Sequence, residues 1–487
     1  MGLKRDLPFR RIALVLSGGA AYSAYEVGVL RVLQRVGLRP ALLAGVSVGA
    51  LNAVVWLAHD FDTSPLERLW RSLRPAEIGM RWTTLSLRAV GSLLVALAGV
   101  EIVLLLAGWP GAAWIAHLRS VHRLRGYVIE SVALELAAWL VIAAIGVAMA
   151  IGSRWLEDLL GRLGATAEAD RLHRWGSYLL LAGLALYVLV LALGIPWPGR
   201  FHLLVLLALG LGLLLGRAGP ARDLFRKGWL RLVPETEGRG LWRGTARRRL
   251  LTHLVRQGDP RRLVDGSVRL VISACQLESG RMGYFVNWRP VEPEFRAGIE
   301  ESIGDVFEVS DPGDVIEAAV ASSAVPVLYE PVPLGGRDYM DGGIFANQPV
   351  HAVTAAGADA VLMVLVSPSA SPRPPSRRPS LVEIASRITE LANWRDLQTE
   401  LGRLPPGFSR AARPASVCVV EPQQPLGGSM FDFEPTRTAE LIRLGESDAL
   451  RALAGSGWLE GEVPLGSPVP AATPAQEPTP GAAPREA

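Results

Sequence analysis

The chain reads as an α/β domain with a mostly parallel sheet covered by helices, split by an insert of about four transmembrane α-helices. Three observations carry that expectation. Strand-like apolar runs at 12–16, 41–46, 268–274, 326–333 and 360–366 alternate with helix-period segments at 22–35, 48–58, 315–321 and 381–393. Four long apolar blocks, at 89–115, 132–151, 178–197 and 201–215, interrupt the alternation. The stretch GVSVG at 45–49 joins a strand-like run to a small-residue helix opener, the sequence form of a nucleophile elbow.

The first run, 12–16, is short, β-branched and followed by Ser17-Gly18-Gly19. It suits a buried strand better than the apolar region of a signal peptide, so secretion is not expected. The apolar blocks come next. A spanning helix needs roughly 20 mostly apolar residues, which the second and third blocks satisfy. Glu101 and Pro110 interrupt the first block, and the fourth is short, behind the turn Pro196-Trp197-Pro198-Gly199. No block shows the polar face of a soluble helix, and Trp109, Trp114, Trp175, Tyr178 and Trp197 lie near block ends, where aromatic belts gather. Glu101 and Glu135 raise a transport role for the insert, against the simpler reading of a helix partner or an interface position. Arginines cluster before the first block, between the second and third, and after the fourth, which predicts both chain ends in the cytoplasm. With four crossings the two flanking pieces share one side and can form one domain; three would separate them. The expected organisation is hydrolase-like residues 1–80 and 221–460, an insert over 81–220, and a disordered Pro- and Ala-rich tail over 461–487. The Pro-, Ser- and Arg-rich stretch 367–380 reads as a surface loop.

Composition narrows the partners. Half of the 487 residues are hydrophobic, the net charge is +4, and lysine occurs only at Lys4 and Lys227. This arginine-heavy usage fits a bacterial source. The cluster Arg247-Arg248-Arg249 has no aromatic interleaving, so no nucleic-acid partner is expected. Cys275 and Cys418 sit in separate apolar contexts and read as buried free thiols, with no metal-ligand spacing and no cofactor motif.

A serine hydroxyl at Ser47 is a weak nucleophile until a base takes its proton. None of the seven histidines lies in a motif that would bring it to Ser47, and His351 is the best of them. A Ser-His-Asp triad stays open, because triad members meet only in the fold. Asp341, in DGGIFANQPV, follows a strand-like run and precedes two glycines that permit close backbone approach. By itself, Asp-Gly-Gly is a common turn.

Four separated stretches taken together resemble the patatin-like phospholipases: LVLSGGAAYSAYEVGVL (14–30), GVSVG (45–49), ASSAVP (321–326) and DGGIFANQP (341–349). The resemblance covers roughly residues 10–75 and 245–365, and none of the apolar blocks. It implies a patatin-like fold and a Ser-Asp dyad acting on lipid acyl esters, with Ser47 as nucleophile, Asp341 as its proton partner, Gly45 and Gly49 as elbow glycines, and no metal. It implies that backbone N–H groups at Gly18, Gly19 and Ala20 hold the oxyanion. One departure stands out: the family's basic residue in the glycine-rich turn is Tyr22 here, and the following glycine is Ser23. The resulting expectation is a membrane-bound acyl hydrolase of phospholipid or lysophospholipid, multi-pass in the bacterial inner membrane with its catalytic domain facing the cytoplasm. The alternative is a non-catalytic lipid-binding or scaffold protein that keeps the fold.

Overall fold

The computed structural model describes residues 2–106, 132–162, 234–370 and 381–460. Its helices are α1 (Ala24–Val36), α2 (Val48–Ala58), α3 (Ser64–Ser72), α4 (Trp82–Leu106), α5 (Val132–Arg162), α6 (Thr245–Gln257), α7 (Pro293–Glu301), α8 (Pro312–Ser322), α9 (Val350–Ala355), α10 (Leu381–Gly402) and α11 (Pro435–Gly455). Its strands are β1 (Ile12–Leu16), β2 (Leu42–Val46), β3 (Arg269–Gln276), β4 (Met282–Val286), β5 (Gly304–Glu308), β6 (Val332–Leu334), β7 (Arg337–Asp341), β8 (Ala360–Val364) and β9 (Val417–Val420).

Among the described residues the strands form one sheet in the order β5-β4-β3-β2-β1-β8-β9, with β7 also paired to β3 and β6 to β7. The pairs β1–β2, β2–β3, β1–β8, β8–β9 and β4–β5 are parallel; β3–β4, β3–β7 and β6–β7 are antiparallel. The α/β expectation thus stands. Strand side chains alternate between two cores: Leu14 packs with Tyr25, Trp56 and Trp242 on one face, and Val15 packs with Ala44, Tyr284 and Phe295 on the other. Helices α1 and α11 meet backbone to backbone on the first face: a Cβ on Gly28 would lie 1.9 Å from the Ile442 carbonyl oxygen.

One expected strand is corrected. Residues 326–328 form a turn with Val327 at φ 70°, and only Val332–Leu334 is strand. Pro326, Pro331 and Pro333 remove the N–H groups that a ladder through this stretch would use.

Helices α4 and α5 overlap the first two apolar blocks, α4 starting before its block and α5 running past the end of its own, and they pack on each other. They cross where Gly91 faces Gly146, since a Cβ on either would lie within 2.7 Å of the other's carbonyl oxygen. Among the described residues, Trp82–Val100 is long and apolar enough to cross a membrane by length and composition alone. The blocks at 178–197 and 201–215, the tail over 461–487 and the side chains of Glu101 and Glu135 lie outside the described residues. Both cysteines are buried and free, as the composition suggested.

Candidate active site

Sheet register brings two distant motifs together. Strand β3 pairs with β2 as far as Val46 opposite Ser273, and one residue further on it pairs with β7, Asp341 opposite Ala274. The end of β2 and the end of β7 therefore meet on one side of β3. Ser47, the residue after β2, donates a hydrogen bond from Oγ to Oδ2 of Asp341 at 2.6 Å.

Ser47 occupies φ 53°, ψ −128° between β2 and α2, a backbone conformation costly for a residue with a Cβ. The two flanking glycines are steric necessities. A Cβ on Gly45 would lie 2.6 Å from Ala50 Cα, and one on Gly49 would lie 2.6 Å from the Leu16 carbonyl oxygen. The strained turn is held from behind: the Ser47 N–H donates to Ser322 Oγ at 2.8 Å, and that hydroxyl donates to the Ser273 carbonyl at 2.7 Å.

Asp341 is buried, and its Oδ1 accepts from the Gly343 N–H at 2.8 Å. Burial pushes its carboxyl up to about 6, opposed by the hydrogen bonds from Ser47 and Gly343 and by the nearby positive charge of Arg247. Arg247 is itself buried, its guanidinium donating to the carbonyls of Ser323 (2.8 Å) and Val320 (3.1 Å) and lying 3.9 Å over the Tyr329 ring. The segment it grips is the one from which the pair hangs. Ser322 binds the Ser47 N–H, and the Ala324 carbonyl accepts the Asp341 N–H at 3.0 Å.

The glycine-rich turn packs directly on the serine. A Cβ on Gly18 would lie 2.7 Å from Ser47 Cβ. Asn347 clamps this turn at two points, accepting from the Gly18 N–H at 2.8 Å and donating to the Gly18 carbonyl at 3.2 Å. The Gly18 N–H is thus already occupied. Ala20 stands at φ 49°, and Ala21 N–H donates to the Met430 carbonyl at 2.8 Å. Tyr22 turns away from the serine and donates its hydroxyl to the Gly428 carbonyl at 2.7 Å.

Beside the turn an apolar cleft runs between α2, α3 and α6, with Ala20, Val48, Trp70, Leu250, Tyr329 and Phe431 among its walls. Asn52 on its inner wall accepts from Trp70 Nε1 at 3.0 Å and donates to Glu26 at 2.8 Å. Full burial pushes the Glu26 carboxyl well above its ordinary range, opposed by the hydrogen bond from Asn52.

His351 belongs elsewhere. Its Nδ1 contacts Glu400 at 2.8 Å and its Nε2 the Tyr284 hydroxyl at 3.0 Å, so both ring nitrogens are occupied away from Ser47. No group of three or more His, Cys, Asp or Glu able to hold a metal occurs among the described residues. Three supporting residues had no assigned role in the sequence. Ser322 and Asn347 sit inside the motifs ASSAVP and DGGIFANQP, whereas Arg247 belongs to the basic cluster Arg247-Arg248-Arg249, weighed only as a nucleic-acid contact.

The family described as patatin-like phospholipase matches residues 14–133 and 142–354. Among curated proteins, the chain is similar to lysophospholipase nte1 of Aspergillus terreus (strain NIH 2624 / FGSC A1156), at 38% identity over 64 residues, 13% of this chain and 4% of that protein. It is also similar to neuropathy target esterase sws of Drosophila melanogaster, at 35% identity over 66 residues, 14% of this chain and 5% of that protein. The matched stretch thus spans only about a twentieth of these relatives' length. Among solved structures, VipD from Legionella pneumophila aligns with TM-score 0.34 and 13% identity, over 92% of this chain and 67% of that one.

Proposed function

Since the chain belongs to the patatin-like phospholipase family, we propose that it is a membrane-bound acyl hydrolase that cleaves phospholipid or lysophospholipid esters through a Ser47–Asp341 dyad. The observation that carries this reading is the 2.6 Å hydrogen bond from a serine on a strained strand-to-helix turn to a buried carboxylate.

Ser47 Oγ attacks the ester carbonyl carbon as Asp341 Oδ2 takes the hydroxyl proton. The oxyanion that forms is held by the N–H groups of Gly19 and Ala20; the Gly18 N–H, bound to Asn347, shapes the turn instead. The C–O bond to the leaving alcohol then breaks, and Asp341 returns the proton to that oxygen. Water attacks the acyl-serine with Asp341 again as base, the fatty acid leaves, and the proton goes back to Ser47 Oγ. No metal or cofactor enters these steps. The apolar cleft beside Ala20 and Val48 suits the acyl chain.

Residues 81–220 serve as a transmembrane insert between the two halves of the hydrolase domain, at the cytoplasmic face of a bacterial inner membrane. The apolar α4–α5 pair supports this part of the reading. The test is lipid hydrolysis by the purified protein in mixed micelles, with released fatty acids identified by mass spectrometry. Release by the parent and its loss in both Ser47→Ala and Asp341→Asn are expected. A folded parent that releases nothing from any glycerolipid would instead support the non-catalytic lipid-binding reading.

A further inference from the structure

The apolar cleft has a closed end. Helices α2 and α6 run along it in the same direction, and both start beside the catalytic pair. Ser47 caps α2, and Arg247 in the first turn of α6 donates to the Ser323 carbonyl, next to the Ser322 hydroxyl that holds the Ser47 N–H. At their far ends the two helices close on each other. The Asp259 N–H donates to the Ala58 carbonyl at 2.8 Å, and His59 Nε2 lies 2.9 Å from the Leu254 carbonyl. A Cβ on Gly258 would lie 2.4 Å from the Ala58 carbonyl oxygen, so backbone meets backbone there with no room for a lipid carbon between. Val48, Leu51 and Val55 line the cleft from α2, and no described residue of α2 beyond Val55 does so.

The side wall is fixed as well. Trp70 of α3 donates its Nε1–H to Asn52 at 3.0 Å and stacks on Phe433, the ring centroids 6.3 Å apart. Asn52 is itself held by Glu26 at 2.8 Å and by the Ser23 carbonyl at 3.2 Å. An indole tied at its polar edge and stacked on its face does not swing aside to lengthen the cleft.

Depth follows from the helix. Val55 lies eight positions after Ser47, which is ~12 Å along α2. Tetrahedral carbons joined by bonds of ~1.5 Å advance an extended chain by roughly 1.3 Å each, so about nine fit. We infer that the cleft is a length gauge that selects medium-chain acyl esters, with Val55 and Leu254 as its stop. The inference rests on the reading that Ser47 cleaves the ester and the cleft takes the acyl chain. Each methylene up to the stop leaves water for an apolar wall and raises kcat/KM several-fold. A longer chain must fold back or leave carbons outside the wall, and kcat/KM falls.

The test is hydrolysis of para-nitrophenyl esters from butanoyl to palmitoyl by the full-length protein, at one fixed mole fraction in neutral-detergent micelles. The maximum of kcat/KM is expected at octanoyl or decanoyl, with palmitoyl about tenfold or more below it. Leu254→Ala should move the maximum to a longer chain and Leu254→Phe to a shorter one. Leu453→Ala, which removes the same atoms from a buried site on α11 outside the cleft, should lower the melting temperature and leave the maximum in place. Three results overturn the inference: kcat/KM level or rising from decanoyl to palmitoyl, a maximum unmoved by both Leu254 variants, or an equal displacement in Leu453→Ala. Failure of the hydrolase reading looks different, since no ester is then cleaved and a fluorophosphonate does not label Ser47. The gauge is then read by binding alone, as displacement of a fluorescent fatty acid from Ser47→Ala by free fatty acids of the same lengths. The tightest binding is again expected at octanoate or decanoate, and affinity that climbs steadily to palmitate overturns it.

Discussion

Asp341 has to be ionised to accept a proton, yet its burial favours the neutral acid and moves its titration to about 6. Hydrolysis should therefore rise with pH through a single ionisation near 6 and fall away below it. A pH profile of kcat/KM, flat from pH 4 to 8, would remove Asp341 as the base. The same shift predicts a cost to the fold. An unfolded aspartate deprotonates near 3.9, so between that value and about 6 the folded chain holds a proton that the unfolded chain has lost, and stability falls as pH rises through this window. About two units correspond to ~3 kcal/mol, present as a penalty at neutral pH and absent at pH 4. Asp341→Asn should accordingly stabilise the protein at pH 7.5 relative to the parent, with the gain vanishing near pH 4, as urea unfolding at the two values would reveal. Arg247 makes the neighbouring prediction. Replacing it by Met leaves the buried Val320 and Ser323 carbonyls without its guanidinium, costing ~1–3 kcal/mol each in stability. It also withdraws the positive charge that favours ionised Asp341, so the acid limb of the pH profile should move to higher pH. A purely structural Arg247 would lower the melting temperature and leave that limb in place.

Among the elements, the α4–α5 pair depends on two missing side chains. Gly91→Val would force a branched side chain into the 2.5 Å gap to the Gly146 carbonyl, and overpacking of this kind costs ~1–3 kcal/mol. Thermal unfolding in detergent should begin several degrees lower for Gly91→Val, whereas Gly99→Val, on the same helix with open space around it, should match the parent. The helix pair also marks how far the sequence could be read. Strands β1, β2 and β8 and helix α2 were legible because continuous apolar runs bounded by Gly or polar residues have one reading. Strands β4, β5 and β9 were not. The inward and outward faces of β5, Gly-Asp-Val-Phe-Glu, depend on its place at the sheet edge, which only the tertiary fold supplies. Helix α11 escaped for the opposite reason: on a mixed surface, the buried face is set by close backbone packing on α1, with Gly445 against the Tyr25 carbonyl and Ile442 against Gly28. The meeting of Ser47 with Asp341 was anticipated through motif resemblance. Its physical cause, the hand-over from β2 to β7 along β3, is a matter of register that no single stretch encodes. Arg247 carried no signal, since three consecutive arginines look alike until one of them is buried.

For the whole molecule, the sheet constrains the number of times the chain can cross a bilayer. Strands β1 and β2 precede the apolar insert and β3 follows it, yet β2 and β3 are paired from Leu42 opposite Arg269 to Val46 opposite Ser273. Both halves must then lie on one side, so any set of spanning helices in the insert is even in number. Cysteine accessibility tests this directly. The native Cys275 and Cys418 are buried, with thiols pushed up to about 11 and about 12, so they contribute little maleimide labelling at neutral pH. Single cysteines introduced at exposed Arg68, before the insert, and exposed Arg443, after it, would report each half separately. Both are expected to resist a membrane-impermeant maleimide in intact spheroplasts and to react once the membrane is opened. Labelling of both in intact spheroplasts would invert the orientation while keeping the crossings even. Labelling of only one would mean an odd number of crossings, and β2 and β3 could not then share a sheet.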